Sequence, residues 1–548
     1  MQGQPFVKNG ITLLSGVDPV LRAEKTADAA AVRDKTLYFC PSPLYGYGLS
    51  RLLSRLEKEA PCSAVLCVEA DPELYELCAR GIDAGLLENK RLRLINAANA
   101  APAENEAARI IAFIRDTWGA MAFSRVETLR FSGGWQLYKE FYNSIFNLLR
   151  AEIANDWSNV LTLSKMGRLY IRNAVRNLGL LTQFPSIAGL SLGASNVLVL
   201  GAGPSLDETL DAVSCNFPQA DKKSFKIICV DTALGSLRDR GITPDLVVIL
   251  ESQHWNLRDF IGCSGWNVPA AVDLCSLPAS ANLLGSGFIF MTPWASLKIF
   301  DRLKEKLFLP ESVPPLGSVG LTAVEIARRV SRGNIICAGL DFSFTQDKYH
   351  ARSTPGHRSA LNRQNRFKRI SNSAAYDSRS FAALSKSGLP VYSNPIMRKY
   401  RDLFEQEFGG DSRIFDIEGT GLPLGIKTLS MKEAIAILNN KNFYREIEAL
   451  TAQHPVQVHE VRGKNNELEI FFENELERLG VLRDIFTGKT EADEKRLYNL
   501  LDECDYLWAH FPDYAGGRSP QPRDISFLKR ARAELDPMME LIKRAMGD

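Results

Sequence analysis

NVLVLGAGPSLDETL, residues 196–210, carries an apolar run, Val197 to Leu200, straight into a glycine turn and then into a helical stretch. The run is too short for anything but a buried strand, and Gly201, Gly203, Pro204 and Ser205 stand where that strand hands over to a helix. Glycine lets backbone approach closely or adopt positive φ. The free N–H groups of a helix start favour an anion, so Gly201, Gly203 and Ser205 form a phosphate-cradle candidate, with Ser205 also able to cap the helix.

Two further strands follow the same plan. KIICVDTAL (226–234) ends in Asp231 and Thr232, and GITPDLVVILES (241–252) ends in Glu251 and Ser252. Short strands alternating with helices require crossovers and hence a parallel, doubly wound sheet, whose ligands bind outside the carboxyl ends of the strands. Asp231, Thr232 and Glu251 should therefore converge with the glycine turn on one crevice. LGSVGLTAVEIARRVSRGNIICAGLDFSF (316–344) adds a helix opened by Gly317 and Ser318 and a strand ending at Asp341. The helix opening suits a carboxylate or phosphate, or Ser318 is an ordinary cap. Asp341 could bind a hydroxyl, act as a base or cap a turn.

Downstream, Lys348 to Arg369 carries seven cations and no acidic residue. It reads as a lid that neutralises donor phosphates, with Arg352 among the donor-binding residues, or as a solvated loop or subunit contact. Tyr349, His350 and His357 lie inside it. Histidine has the intrinsic pKa to take a proton from an attacking hydroxyl near neutrality, and tyrosine can stabilise a departing phosphate. His254 is a further candidate with a structural alternative.

Upstream, TLYFCPSPLYGYG, LSRLLSRLEKEA and SAVLCVEADPELYELCARG (36–81) give a second βαβ pattern. Gly46 and Gly48 sit at its turn, and Glu69 stands at the spacing of a ribose-binding acid. Pro41 and Pro43 break the usual fingerprint, and the glycines serve helix packing equally well. Phe141, Ile145, Leu148 and Leu149 share a helical face. Beyond Ser430, Leu468, Phe472, Leu476, Leu479 and Leu482 recur at helical steps, as do Leu528, Ala531, Leu535 and Met538.

The fold class is thus α/β: two Rossmann-like doubly wound units with a helical connector and a helical C-terminal domain. The expected boundaries are residues 1–130 for the N-terminal Rossmann-like domain and 131–190 for the connector. Residues 191–430 are expected to form the central Rossmann-like domain that carries the ligand site, which the family resemblance given below implies is a nucleotide-sugar-binding catalytic domain, and 431–548 the helical C-terminal domain. A chain of 548 residues exceeds one core, since cores stop growing near ~250–300 residues.

Lys plus Arg number 66 against 64 Asp plus Glu, which gives no global attraction to nucleic acid or acidic membranes. The N-terminus lacks the basic start and apolar run of a signal peptide, and no apolar stretch approaches the ~20 residues of a membrane span. Ten cysteines without CxxC pairs or metal-spaced histidines fit free thiols in a reducing cytoplasm, with no metal site.

GAGPSL, ICVDTAL, GITPDLVVILE, LGSVGLTAVEIA and IICAGLDFSF together resemble the motility accessory factor family of flagellin glycosyltransferases, as do YGYGLSRLL and VLCVEADPELYELC in the N-terminal unit. The resemblance spans about residues 36–430. It implies transfer of a nonulosonic (sialic, pseudaminic or legionaminic-type) acid from a CMP-sugar to Ser or Thr of flagellin, by an inverting mechanism and with no tightly bound cofactor.

The central motifs are also similar to bacterial sialyltransferases. That similarity implies that Gly201, Gly203, Ser205, Gly317 and Ser318 hold the CMP-sugar while a downstream tyrosine and histidine serve phosphate and base. They are similar, too, to archaeal 6-hydroxymethylpterin diphosphokinases, which implies the alternative of ATP-dependent pyrophosphoryl transfer, with Asp231, Glu251 and Asp341 positioning magnesium. A non-catalytic flagellin-binding scaffold is the third reading.

Overall fold

The run Thr36–Pro41 is buried at every residue, as a strand covered on both faces must be. In the computed structural model it forms β3, inside the first of two compact units. The structure describes residues 5–97, 99, 101–119, 122–217, 225–263, 265–306, 309–370, 379–439, 465–512 and 519–547. Met1–Gly167 and Trp508–Ser519 make up one unit, and Arg168–Leu507 with Pro520–Asp548 the other.

The first unit opens with an antiparallel hairpin, β1 (Phe6–Lys8) and β2 (Ile11–Leu14), and α1 (Pro19–Ala29). Then come β3, α2 (Leu49–Glu59), β4 (Ala64–Glu69), α3 (Pro72–Gly81), α4 (Ala84–Leu87), β5 (Leu92–Asn96), α5 (Ala103–Trp118) and β6 (Arg125–Thr128). The strands form a parallel sheet in the order β5-β4-β3-β6. Successive β3 side chains serve opposite cores: Leu37 and Phe39 pack with Ile110, Ile145 and Leu149, while Tyr38 and Cys40 pack with Leu49, Leu52 and Leu56.

Glu69 ends β4 where a ribose-binding acid would, but its carboxylate is committed internally. It accepts from Ser42 Oγ at 2.7 Å, Tyr142 OH at 3.0 Å and the amides of Ala70 and Asp71. Burial raises its pKa above the carboxylate norm. The ribose expectation gives way to an internal tie. The connector is one long helix, α6 (Lys139–Asn177), flanked by 3-10 turns Gly134–Tyr138 and Leu178–Thr182.

The second unit continues with β7 (Asn196–Leu200), α7 (Leu206–Asn216), β8 (Phe225–Val230), α8 (Leu234–Asp239), β9 (Leu246–Ile249), β10 (Ala270–Asp273), α9 (Pro278–Asn282), β11 (Gly287–Phe290) and α10 (Lys298–Glu305). It goes on through α11 (Val319–Val330), β12 (Ile335–Ala338), α12 (Pro355–Arg363), a β13 (Phe381–Leu384) and β14 (Pro390–Ser393) hairpin, α13 (Pro395–Phe408), β15 (Ile414–Ile417) and β16 (Lys427–Leu429). Its sheet has eight strands, β11-β10-β9-β8-β7-β12-β15-β16, all parallel. The chain steps outward from β7 to β11, then α11 returns it to the other side of β7. The topological switch point therefore lies between β7 and β12. Both Rossmann-like units expected from the sequence are present.

Helices α14 (Met431–Asn439), α15 (Asn465–Phe486), α16 (Glu494–Glu503) and α17 (Ile525–Gly547) follow. Leu468, Phe472, Leu479 and Leu482 of α15 are buried, as are Ala531, Leu535 and Met538 of α17. Glu475, buried beneath them, takes Arg302 at 2.6 Å, Arg478 at 2.8 Å and the Tyr506 hydroxyl at 3.1 Å, which pins α10 to α15. All ten cysteines are free thiols, eight of them buried. No described helix is long and apolar enough to cross a membrane.

Candidate functional site

The carboxyl ends of β7, β8, β9 and β12 share one edge of the sheet, which puts Gly201–Ser205, Asp231, Glu251 and Asp341 along one rim. At the switch point the rim is drawn tight. Gly203 N donates to Gly339 O at 2.8 Å. A Cβ at Gly201 would run into the Gly339 carbonyl and lie 2.6 Å from Leu340 Cδ2, and one at Gly203 would lie 2.5 Å from Asp341 Oδ2. Neither glycine has positive φ; Gly339 (φ 68°) and Phe342 (φ 47°) do. Glycine is needed in this turn for close approach of backbone to backbone and carboxylate, not for left-handed geometry.

Asp341 is 2% exposed and accepts from Ser205 N at 2.7 Å and Ser205 Oγ at 2.5 Å. The anion at the start of α7 is therefore the chain's own. Ser205 makes no cap hydrogen bond, because its hydroxyl is turned to Asp341. The cap expected at Ser205 is corrected on that ground, and Asp341 is held as a buried tie.

Behind the tie is a group that the sequence did not disclose. Lys386 and Asp416, 4% and 2% exposed in their side chains, pair at 2.7 Å. Burial still pushes Asp416 up to about 6 against the pull of Lys386, with nearby Asp341 adding to the rise. The loop after β15 closes over them: a Cβ at Gly419 would lie 3.2 Å from Ser205 Cβ, and one at Gly421 2.8 Å from Asp341 Oδ1. The run EGTGLPLG (418–425) after a strand was the available signal.

The basic segment is docked on the glycine turn. Ala351 N donates to Ala202 O at 3.0 Å, and the His350 ring is hydrogen-bonded to the Ala202 backbone. Lys348 Nζ reaches Asp207 Oδ2 at 2.7 Å, Arg352 N donates to the same carboxylate, and Arg358 pairs with Asp239 at 3.2 Å. The Ser236 hydroxyl donates to Arg352 O. The free lid expected over Lys348–Arg369 is corrected here for its first half, which carries its acidic partners on α7 and α8.

Desolvation lowers the His350 and His357 pKa values, and for His357 the charge of Lys348 adds to it, which favours the neutral form of both imidazoles. Tyr349 stacks on Phe344 with ring centroids 4.0 Å apart. The Arg352 side chain is 72% exposed and 4.0 Å from Asp207.

Asp231 and Thr232 form a second group. Asp231 accepts from Thr232 N at 2.8 Å and Asn256 Nδ2 at 2.6 Å, and Asn256 also reaches Asp259 at 3.3 Å. Burial pushes Asp231 up to about 6 and Asp259 up to about 7, with the Asp231 charge adding to the latter. Glu251 is exposed and accepts from Gln253 N. His254 is exposed beside it, its ring 4.2 Å from that of Trp255. Asp231 faces Asn256, Asp259 and Glu251, whereas Asp341 faces Ser205 and Asp416, so the expected trio of Asp231, Glu251 and Asp341 is not assembled. Among the described residues no three His, Cys, Asp or Glu side chains are arranged to hold a metal ion.

Gly317 (φ 69°) and Ser318 open α11 on the same rim, and Ser318 makes no side-chain cap. A Cβ at Gly320, in its first turn, would touch the same Leu340 Cδ2 that borders Gly201, again at 2.6 Å. The α11 start is thus a neighbour of the glycine turn. A Cβ at Gly317 would lie 3.3 Å from the Tyr400 ring.

Tyr170 is pushed up to about 12 by burial and by the charges of Cys275, Glu251 and Asp273, with Tyr400 also contributing. It packs on Trp294 at 5.4 Å. Tyr170, Trp294 and Tyr400 were missed in the sequence because isolated aromatics on distant elements carry no pattern. Asn173 and Asn177 fix the end of α6 over β9 and β10 by donating to the carbonyls of Ser252, Cys275, Leu274 and Ser276. A surface cavity of about 440 Å³, lined by Phe381, Pro395, Arg398, Lys399 and Asp402, contains none of the expected residues.

An eight-stranded doubly wound parallel sheet with a glycine turn and a helix start at its switch point defines a Rossmann-like fold. Residues 170–347 match the family model described as 6-hydroxymethylpterin diphosphokinase MptE-like. An uncharacterized protein of Treponema pallidum (strain Nichols) is 26% identical over 545 residues, 95% of this chain and 90% of that one. The structure of MAf glycosyltransferase from Magnetospirillum magneticum AMB-1 shares the fold, with a TM-score of 0.53 and 14% identity over 99% of this chain and 84% of that one. The domain match and the shared fold support the resemblance to the motility accessory factor family.

Proposed function

We propose that this chain is an inverting glycosyltransferase that moves a nonulosonic acid from a CMP-sugar to Ser or Thr of flagellin. The observation that carries the reading is the meeting, at the β7/β12 switch point, of the glycine turn, the α11 start and a neutral histidine bonded to Ala202. Over nearly its whole length the chain shares the fold of a protein named as a glycosyltransferase, which supports the reaction class.

In this reading the first-turn amides of α11, opened by Gly317 and Ser318, take the donor phosphate, because the α7 start already holds Asp341. His350 accepts the proton of the acceptor hydroxyl. The hydroxyl oxygen bonds to the anomeric carbon, and the bond from that carbon to the phosphate oxygen breaks as CMP leaves. Tyr349 and Arg352 are assigned to the leaving phosphate, and His357 to the surroundings of His350. Asp341 is a positioning residue that shapes the turn through Ser205. Asp231, Thr232 and Glu251 border the donor on the β8 and β9 side.

Incubation with CMP-sugar and the cognate flagellin should add the mass of one sugar per modified hydroxyl. Absence of that increment with verified donor and acceptor overturns the proposal.

The name of the matching domain family favours a second reading, pyrophosphoryl transfer from ATP to a pterin alcohol. There the magnesium expected at Asp231, Glu251 and Asp341 finds no assembled site among the described residues, since Asp341 is engaged with Ser205. Calorimetric binding of ATP with magnesium, without binding of CMP, would select it.

A further inference from the structure

The cations of the basic segment divide into two groups. Lys348 and Arg358 have carboxylate partners, and Arg352 lies near one. Arg363, Arg366, Lys368 and Arg369 form no ion pair among the described residues, and the nine residues 361–369 are all exposed. The stretch is nevertheless ordered by its own turn. Asn365 Oδ1 accepts from the amides of Phe367 and Lys368 at 2.9 Å each, and Asn365 N donates to Lys368 O at 3.1 Å. That turn holds Phe367 84% exposed, with Arg366 5.9 Å from its ring centroid.

An exposed aromatic set beside arginines has the composition that protein interfaces favour. We propose that the 363–369 turn docks an acidic face of the protein acceptor. This inference rests on the glycosyltransferase reading above. Nine consecutive exposed residues do not enclose a nucleotide or a free sugar, whereas a broad acidic surface can meet all four cations and cover Phe367. Its place in the chain supports the same occupant. The turn follows directly on α12, and His357 of α12 lies six residues before Arg363, about 9 Å along a helix. A macromolecule seated there would be within reach of His350 and the glycine turn.

The experiment uses the full chain and two variants, R363E/R366E/K368E and F367A, with flagellin from the source organism as the protein probe. Phosphatidylglycerol vesicles are the competing probe. Affinity is read by biolayer interferometry at low and high salt, and CMP affinity by calorimetry is the control for the donor site. The charge reversal should weaken flagellin binding by about tenfold or more at low salt and flatten its salt dependence, while F367A weakens it at both salts. CMP affinity should be unchanged in both.

The proposal is overturned if the unaltered chain does not bind flagellin, or if the charge reversal leaves that binding intact. It is likewise overturned if the turn carries binding to vesicles and not to flagellin. Loss of the glycosyltransferase reading is separately visible, as flagellin binding through the turn without any consumption of CMP-sugar.

Discussion

Replacing Asp341 separates a positioning role from a catalytic one, because alanine and asparagine make different demands on Ser205. The D341A change would strand two buried donors, the Ser205 amide at 2.7 Å and the hydroxyl at 2.5 Å from the present carboxylate. Each orphaned donor costs about 1–3 kcal/mol, so D341A should destabilise the second unit by about 2–6 kcal/mol. The side-chain amide introduced by D341N can accept from the Ser205 amide through its oxygen and donate to the Ser205 hydroxyl, which rotates to receive it. D341N should then cost about 1–2 kcal/mol, the difference between charged and neutral hydrogen bonds.

Urea unfolding measures the stabilities, and transfer of sugar to flagellin well below the transition measures activity. A positioning residue predicts that D341N keeps transfer within about tenfold of the parent while D341A loses more. A cycle with S205A should return a coupling energy of about 1–3 kcal/mol. If D341N leaves stability unchanged and lowers turnover by ~10²–10⁴, Asp341 acts on the reacting atoms and the tie is incidental.

The histidines make a pH prediction: desolvation holds His350 neutral below its ordinary range, so turnover should stay flat as pH falls from 8 through 6.5 and drop only below it. H350Q should abolish that acid limb along with most turnover, and H357Q should retain it; a limb that survives H350Q refutes the assignment. G203A should destabilise the second unit by more than about 2 kcal/mol in urea, since its Cβ would lie 2.5 Å from Asp341 Oδ2 against fixed backbone; a neutral result would show that the turn has room to open. Asp231, Asp273 and Asp416 are raised to about 6, and Asp259 to about 7, all by burial. A carboxyl raised in the folded state contributes stability that is complete below about pH 4 and lost as pH climbs through 6 to 7. The lowered His350 and His357 act in the opposite sense but are outnumbered, so the second unit should melt higher at pH 5 than at pH 7.5 by calorimetry. Equal or reversed midpoints would show that the raised acids do not govern this window.

The parts of the site that were legible in the sequence are those with a local period. Val197–Leu200 announces a doubly buried strand, and the glycines after it announce a close approach; both follow from packing rules that act within a few residues. What the glycines approach is a long-range fact. Gly201 and Gly203 meet Gly339 and Asp341, more than a hundred positions away, and nothing in GAGPSL distinguishes an external phosphate from an internal carboxylate. The basic run shows the same division. Its composition is visible, but Asp207 and Asp239, which neutralise its first half, come from α7 and α8 and are found only when α12 is laid across them.

The two units repeat one solution. In each, a serine after the first strand of the sheet gives its hydroxyl to a buried acid at the end of an adjacent strand, Ser42 to Glu69 and Ser205 to Asp341. An acid so placed satisfies amides that a packed turn would otherwise leave unpaired, and it thereby removes the turn from the inventory of free anion sites. The α11 start is opened by a serine that makes no side-chain cap, so the donor phosphate is assigned to α11. G320V, whose side chain would press on Leu340 beside that opening, should therefore weaken CMP binding more than S205A does. Calorimetry with both variants decides between the two helix starts, and a larger loss with S205A would return the phosphate to the glycine turn.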